Sequence, residues 1–272
     1  MTEMNAGSWT FEIRDAVRGQ VMHSVELDET DLALSPPEQR AEALYVALER
    51  HLPLVGADLS DMNADYIEMG YTDLIGVALR NSRLRRANLN GVNFSGADLS
   101  GADLSGASLV GARLCGASLS GACLQEADLR GANLSGAVLL NVDLSGALLN
   151  GALLNGAVCT GTVFEGCDLA SASSFGAEMK HARFEGARWR DIPLARRPIR
   201  VSGLDYDVTI LEQHIVVGST TLTMNDLARL GEREAVSKGG VRALRFIRNF
   251  KGVIESLFAC RELVRDVPQI QI

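Results

Sequence analysis

Histidine, cysteine and the hydroxyl side chains are where catalysis would begin, and in this chain they are dispersed. The four histidines, His23, His51, His181 and His214, fall in four separate segments. The five cysteines, Cys115, Cys123, Cys159, Cys167 and Cys260, are odd in number and lack metal-ligand spacing. "GADLSGA" surrounds a serine with small residues but lacks the G-x-S-x-G order of a nucleophile elbow. No phosphate-binding P-loop and no dinucleotide fingerprint occurs. These side chains therefore predict no catalytic site, no metal, no cofactor and no small-molecule substrate. One group of charges, Lys238, Arg242, Arg245, Arg248 and Lys251, shares a side of one amphipathic pattern. That row reads first as a solvated helix face, and second as a surface for phosphate or an acidic partner.

What must position these residues is a five-residue cycle. From Leu59, steps of five reach Leu194 through 28 positions without a break in phase; nineteen are leucine and three phenylalanine, Phe94, Phe164 and Phe184. Two residues before each, from Ala97 to Ala157, stands alanine, with Val142 the exception. Three before, from Gly91 to Gly166, stands glycine, with Glu126 and Asn141 interrupting. A helix cannot use this spacing, because five residues advance about 500° and would scatter the leucines around every side. A flat sheet fails too, because its period of two does not divide five. A short extended piece with two inward side chains, then a bend, satisfies the pattern. Wound about an axis, such pieces make a solenoid.

Through units such as "ANLNG", "ADLSG", "ASLVG" and "ANLSG", the chain resembles the pentapeptide-repeat family. The resemblance implies an all-β solenoid, a right-handed quadrilateral β-helix with four pentapeptides per coil. It implies about seven coils for the 28 units, and stacking of residues twenty apart. Phe164 should then lie against Phe184 and Leu144, and Trp189 against Leu169. Ser174, within "ASASSFG", is the expected local defect, and "DMNADYIEMGYT" reads as a degenerate opening coil. Cys159 and Cys167 fall at inward positions, Cys115 and Cys123 at outward or corner ones.

Three domains follow: 1–56, an N-terminal cap of strands and helix; 57–195, the β-helix; and 196–272, a small α+β module. A solenoid exposes unpaired backbone at its ends, so caps are needed. "WTFEIRDAVRGQVMHSVEL" reads as two strands about a turn near Gly19. Ser35-Pro36-Pro37-Glu38 reads as a helix start with a capping box, and the helix should run to about Arg50. Leu44, Ala47, Leu48 and His51 should face the first coil, His51 as a helix-end residue. In the C-terminal module, strand-like runs cover 198–201, 206–211, 214–217 and 220–223. Thr223 with Asp226 opens a short helix at 224–230, and Val241, Leu244, Ile247, Phe250, Ile254, Leu257 and Phe258 give a longer one at about 241–264. This layout resembles a phage and prophage subset of the family. Members of that subset often carry "IGC..H" where this chain has "VVGSTTLT", so Ser219 stands in the cysteine's place and no histidine follows.

The function expected is a rigid scaffold for protein–protein interaction, with a protein partner or a second copy as its ligand. The outward residue before each central leucine is usually Asp, Asn or Ser; at Val138, Leu148, Leu153 and Val158 it is apolar, interrupted by Asp143. Such a stripe on a solvated surface points to an interface. Some family members imitate B-form DNA and act on DNA gyrase, which makes a DNA-mimic modulator of such an enzyme the alternative. Residues 87–164 argue against it, with five acids (Asp98, Asp103, Glu126, Asp128, Asp143) against Arg113 and Arg130, a net of −3; DNA carries one charge per about 1.7 Å. Direct nucleic-acid binding by the basic 238–251 row ranks lower. Residues 196–272 hold nine acids and twelve bases, but no helix-turn-helix signature. A formal charge of −8, no apolar run of membrane length and no signal-type leader predict a cytoplasmic protein of a bacterial or phage-infected cell, without membrane partners.

Overall fold

The computed structural model describes residues 8–28, 30–174 and 176–189, together with 3–5, 192–194, 199–202, 208–210, 214–217, 220–229, 251–252, 254 and 270–271. The chain forms two compact units, Met1–Pro193 and Leu194–Ile272.

The first unit opens with antiparallel strands β1 (Glu3–Asn5), β2 (Ser8–Asp15) and β3 (Val21–Leu27). The β2–β3 turn is the one expected near Gly19. Asp15 Oδ1 accepts the N–H groups of Val17 and Arg18 at 2.9 and 2.6 Å, a side-chain mimic of a backbone turn. Helix α1 (Pro36–Glu49) begins at Ser35, whose N–H and hydroxyl both donate to Glu38 Oε2, at 2.9 and 2.6 Å. It ends on His51, at φ 52. The His51 N–H donates to Leu48 O at 3.0 Å and the Leu52 N–H to Ala47 O at 2.9 Å, the paired bonds of a Schellman stop. His51 is thus the helix-end residue expected. It does not join the buried face, which consists of Ala41, Ala43, Leu44 and Ala47; Leu48 is half-buried and His51 exposed. The left-handed stop turns the chain, and His51 with it, out of the helix face.

The repeats start at β4 (Ala57–Asp58), which pairs antiparallel with β2 through Arg14↔Asp58 and Asp15↔Ala57. The N-terminal hairpin thereby occupies edge groups that the first coil would otherwise leave unpaired. From there parallel bridges join each outward residue to the one twenty places on, from Asp58↔Ala78 to Asp168↔Arg188, at every fifth position. Four pentapeptides therefore make one turn, with a first coil at 57–76, a second at 77–96, and so on. Each rung is hydrogen-bonded both ways: the Asp98 N–H donates back to Val77 O at 2.9 Å, and the Leu99 N–H forward to Ser118 O at 2.7 Å. The opening coil is degenerate in sequence but regular in backbone, since Ala64 and Met69 are buried and their neighbours Asn63 and Glu68 hold the same bridges. The ladder also passes Ser174, with Leu153↔Ser173 and Val158↔Glu178 on either side.

The interior is filled by the central residue and the residue two before it, as the alanine and leucine columns require. Each buried leucine contributes roughly 1.5–3 kcal/mol of transfer free energy. Phe164 stacks on Phe184, ring centroids 4.9 Å apart and planes 7° apart. At three buried positions where the alanine column turns polar, the side chain donates to a carbonyl 23 residues earlier: Ser82 Oγ to Leu59 O at 3.0 Å, Thr162 Oγ1 to Leu139 O at 2.6 Å, Cys167 Sγ to Leu144 O at 2.8 Å. A small donor therefore fits this column without a buried orphan. Strand β5 (Ala187–Trp189) completes the last described rung and β6 (Ile192–Leu194) follows. The predicted contact of the Trp189 side chain lies outside the described residues.

The second unit contains a five-stranded sheet of β7 (Ile199–Ser202), β8 (Val208–Ile210), β9 (His214–Val217), β10 (Thr220–Thr223) and β11 (Ile270–Gln271), in the order β10-β9-β8-β7-β11. Successive strands β7 to β10 are antiparallel; β11, which the sequence pattern does not single out, lies parallel to β7. Helix α2 (Met224–Arg229) opens with the expected box: the Thr223 hydroxyl donates to Asp226 Oδ2 at 2.6 Å and accepts the Asp226 N–H at 3.1 Å. Of the helix predicted at 241–264, residues 251, 252 and 254 are described, as helical, with Ile254 buried; the rest lies outside the described residues, Cys260 included.

Candidate interaction surfaces

The five-residue cycle fixes where each outward side chain stands, because each pentapeptide is one side of the coil. Val138 and Val158 occupy the same side on successive coils and are bridged directly. Leu148 lies on another side, between Asp128 and Asp168, and Leu153 on the side between those two, flanked by Asn133 and Ser173. The four residues therefore do not meet in a flat patch. They girdle one coil, 137–156, and the start of the next, around three sides; Asp143 takes the fourth and holds Ser145 Oγ and Gln125 Nε2, at 2.6 and 2.7 Å. Leu148 and Leu153 are 39% and 38% exposed, while Val138 and Val158 are half-buried. Leu140, 37% exposed, joins the girdle beside Val138. The outward column does not reveal it, because it follows its central leucine instead of preceding it.

A second surface lies on the first coils, where charge alternates along the axis. The coil at 57–76 carries Asp58, Asp61, Asp65, Glu68 and Asp73 and no base; the coil at 77–96 carries Arg80, Arg83, Arg85 and Arg86 and no acid. Arg80 sits between Asp58 and Asp98, at 3.8 and 3.4 Å. Arg83 and Arg85 share Asp65 at 2.5 Å each, and Arg85 also reaches Asp103 at 4.0 Å. Burial works against ionisation of Asp65, but hydrogen bonds from the Arg85 and Arg83 side chains and the Arg85 N–H outweigh it and hold the carboxyl below its ordinary value. The repeat phase alone does not single out these pairs. Offsets of 18 to 22 residues between acid and base do.

Arg86 differs from its three neighbours. It has no carboxylate partner among the described residues and only a 3.4 Å hydrogen bond to the Tyr66 hydroxyl. It stands at a corner, with φ 54, in a column that runs Tyr66 (φ 64), Arg86, Gly106, Glu126 (φ 57). Gly106 lies so close beneath Arg86 that an added Cβ would come within 3.3 Å of Arg86 Cγ. These corners and their neighbours Arg85 and Gln125 line an open notch of about 380 Å³.

Thiol chemistry is suppressed in the core. Burial pushes the Cys159 and Cys167 thiols up to about 12, far from the thiolate needed for reactivity. Cys115 and Cys123 are half-exposed. Among the described residues no group of His, Cys, Asp and Glu could hold a metal, and no helix is long and apolar enough to cross a membrane. Of the basic row, Lys238, Arg242, Arg245 and Arg248 lie outside the described residues; Lys251 is helical and half-buried.

A family model described as pentapeptide repeats matches residues 68–106, 97–136, 143–173 and 152–191. Among solved structures, the chain is similar to HetL, a pentapeptide repeat protein involved in heterocyst differentiation regulation from the cyanobacterium Nostoc sp. strain PCC 7120, at 30% identity over 50% of this chain and 84% of that one, TM-score 0.20. It is similar to a pentapeptide repeat protein of the Arabidopsis thaliana thylakoid lumen at 30% identity, over 47% of this chain and 68% of that one, TM-score 0.21. It is also similar to QnrB1, a plasmid-mediated fluoroquinolone resistance protein, at 20% identity over 47% of this chain and 76% of that one, TM-score 0.27. No curated protein matches the sequence.

Proposed function

We propose that this chain, whose residues 68–136 and 143–191 match the pentapeptide-repeat family model, is a right-handed quadrilateral β-helix of about seven coils that serves as a non-catalytic scaffold whose ligand is a protein. The observation that carries this reading is the apolar girdle. Leucine side chains about two-fifths exposed, at Leu140, Leu148 and Leu153, stand on coils whose other outward residues are mostly Asp, Asn and Ser. Because the girdle spans three sides, a partner protein that clasps the rod at coil 137–156 would cover it whole, whereas a second copy of the rod would cover one side of it. A rigid ladder presents such a girdle with little ordering entropy to lose, which favours association.

The DNA-mimic alternative draws its support from family resemblance alone, and two of the five acids of the first coil, Asp58 and Asp65, are answered by arginines of the second. A phage or prophage origin and a cytoplasmic location belong to the same proposal and rest on the sequence reading. The test is Leu148→Ser with Leu153→Ser, read by light scattering and by capture of partners from the host. Weakened assembly or capture with an unchanged circular-dichroism spectrum is expected; unchanged assembly and capture would remove the girdle as the interface. A supercoiling assay with purified gyrase separates the alternative, for which inhibition at micromolar protein is required.

A further inference from the structure

The notch at the first to fourth coils carries two charges that take part in no ion pair among the described residues. Three of the four arginines on coil 77–96 are paired with carboxylates on the coils to either side. Arg86 is not, and Glu126, forty residues on in the same corner column, has no ion pair among the described residues either. Both occupy left-handed corners, φ 54 and φ 57, in a column that uses glycine at 106, 146, 166 and 186. A side chain in that conformation is disfavoured by roughly 1–2 kcal/mol relative to glycine. Other corners such as Asn81, Asn141 and Ser171 share that conformation; what distinguishes Arg86 and Glu126 is a charge that has no ion pair among the described residues. Gly106 lies between the two corners, with the Arg86 side chain resting against it, and the Tyr66 ring, 62% exposed, walls one end of the notch. Tyrosine and arginine are the residues that dominate binding energy at protein interfaces, and the polar lining suits neither an apolar cofactor nor a drug-like ligand.

From this juxtaposition we propose that the notch is a docking site for an extended segment of a partner protein that carries one acidic and one basic side chain two residues apart. The geometry sets the spacing. Arg86 and Glu126 are two coils apart, about 10 Å along the axis, and alternate side chains of an extended strand lie about 7 Å apart on one face. Side chains of ordinary length close the remaining gap: the ligand's carboxylate meets the Arg86 guanidinium, its ammonium or guanidinium meets the Glu126 carboxylate, and the backbone between them crosses the notch beside Ser105 and Gln125. The site rests on the reading of the rod as a protein-binding scaffold but not on the apolar girdle, which lies on later coils.

The test uses the full chain and an acetylated, amidated peptide, Ala-Glu-Ala-Lys-Ala, with Ala-Gln-Ala-Gln-Ala as its neutral control. Titration followed by amide shifts in two-dimensional NMR should move Tyr66, Gly106 and Gln125 with the charged peptide alone. Arg86→Gly and Glu126→Gly should each weaken that binding by about tenfold, the loss of one charge-assisted contact. Both should leave the thermal midpoint unchanged or raise it by about 2–4 °C, since each restores glycine to a left-handed corner. Equal shifts with the neutral peptide, no shift at the notch, or unchanged binding by the glycine variants would overturn the proposal. So would a lowered midpoint, which would make the two side chains structural. Leu148→Ser with Leu153→Ser should leave the peptide shifts intact, so that failure of the girdle and failure of the notch are read separately.

Discussion

Gly91 and Gly111 occupy the same corner column one coil apart, and they should respond differently to the same substitution. Gly91 has φ 64 and Gly111 φ 66, so the backbone term of a change to alanine is shared. A left-handed alanine costs about 1–2 kcal/mol, offset by about 0.4–1 kcal/mol from the stiffer unfolded chain. Gly111→Ala, with nothing within 4 Å of the new Cβ, should therefore lose about 1 kcal/mol. At Gly91 the new Cβ would lie 2.5 Å from Cδ1 and Cε1 of Tyr71, whose ring rests on the corner. The ring must leave its rotamer, a further cost of about 0.5–1.5 kcal/mol, so Gly91→Ala should lose about 2 kcal/mol. Urea unfolding followed by circular dichroism measures both, and a cycle with Tyr71→Ala isolates the extra term. With Tyr71 removed, the two glycine substitutions should become equal. A difference below about 0.3 kcal/mol in the presence of Tyr71, within the error of such cycles, would show that the ring does not rest on Gly91 and would refute the reasoning.

The Asp65 clamp predicts an acid response. Its folded pKa is depressed below the model-compound value of 3.8, so its contribution is fully present above that value and is lost as pH falls through the lower, folded one. Asp65→Asn should lower stability at pH 7 by about 0.2–1 kcal/mol, as for other partly exposed ion pairs. The gap from the parent should narrow below pH 3.8, and a gap constant from pH 7 to pH 2 would contradict the assignment. Alkylation with iodoacetamide at neutral pH, located by mass spectrometry, should label Cys115 and Cys123 and spare Cys159 and Cys167 until the chain is denatured; native labelling of Cys159 would show a core looser than the burial implies.

Much of the repeat was legible because it is over-determined. The leucine, alanine and glycine columns each repeat the same instruction, and no helix or flat sheet accommodates all three at period five. The capping boxes at Ser35 and Thr223 were legible for a local reason, since each is closed by a side chain three residues away. The contacts across coils were harder to read. Arg80 meets Asp58 and Asp98 only once the twenty-residue turn is imposed, and Leu140 is exposed for reasons of corner geometry. The girdle residues were legible as apolar, but their distribution over three sides was not, because a column read along the sequence hides which side it has reached. Tyr66 and Arg86 lie before the glycine column becomes regular, so their place at strained corners emerges only from backbone angles. Strand β11 depends on a pairing with β7 some seventy residues earlier, which two residues of sequence cannot announce.

The constancy of the twenty-residue ladder has a consequence for how proteins of this design can change length. Inserting or deleting one pentapeptide between the notch and the girdle would keep every side chain facing in or out as before, yet turn one surface a quarter-turn about the axis relative to the other. Four pentapeptides would restore the original bearing and only lengthen the rod, by about 4.8 Å. The angle between two binding surfaces is thus a discrete variable in this architecture, set by counting repeats, and a change too small to disturb the core is enough to re-aim one partner against another.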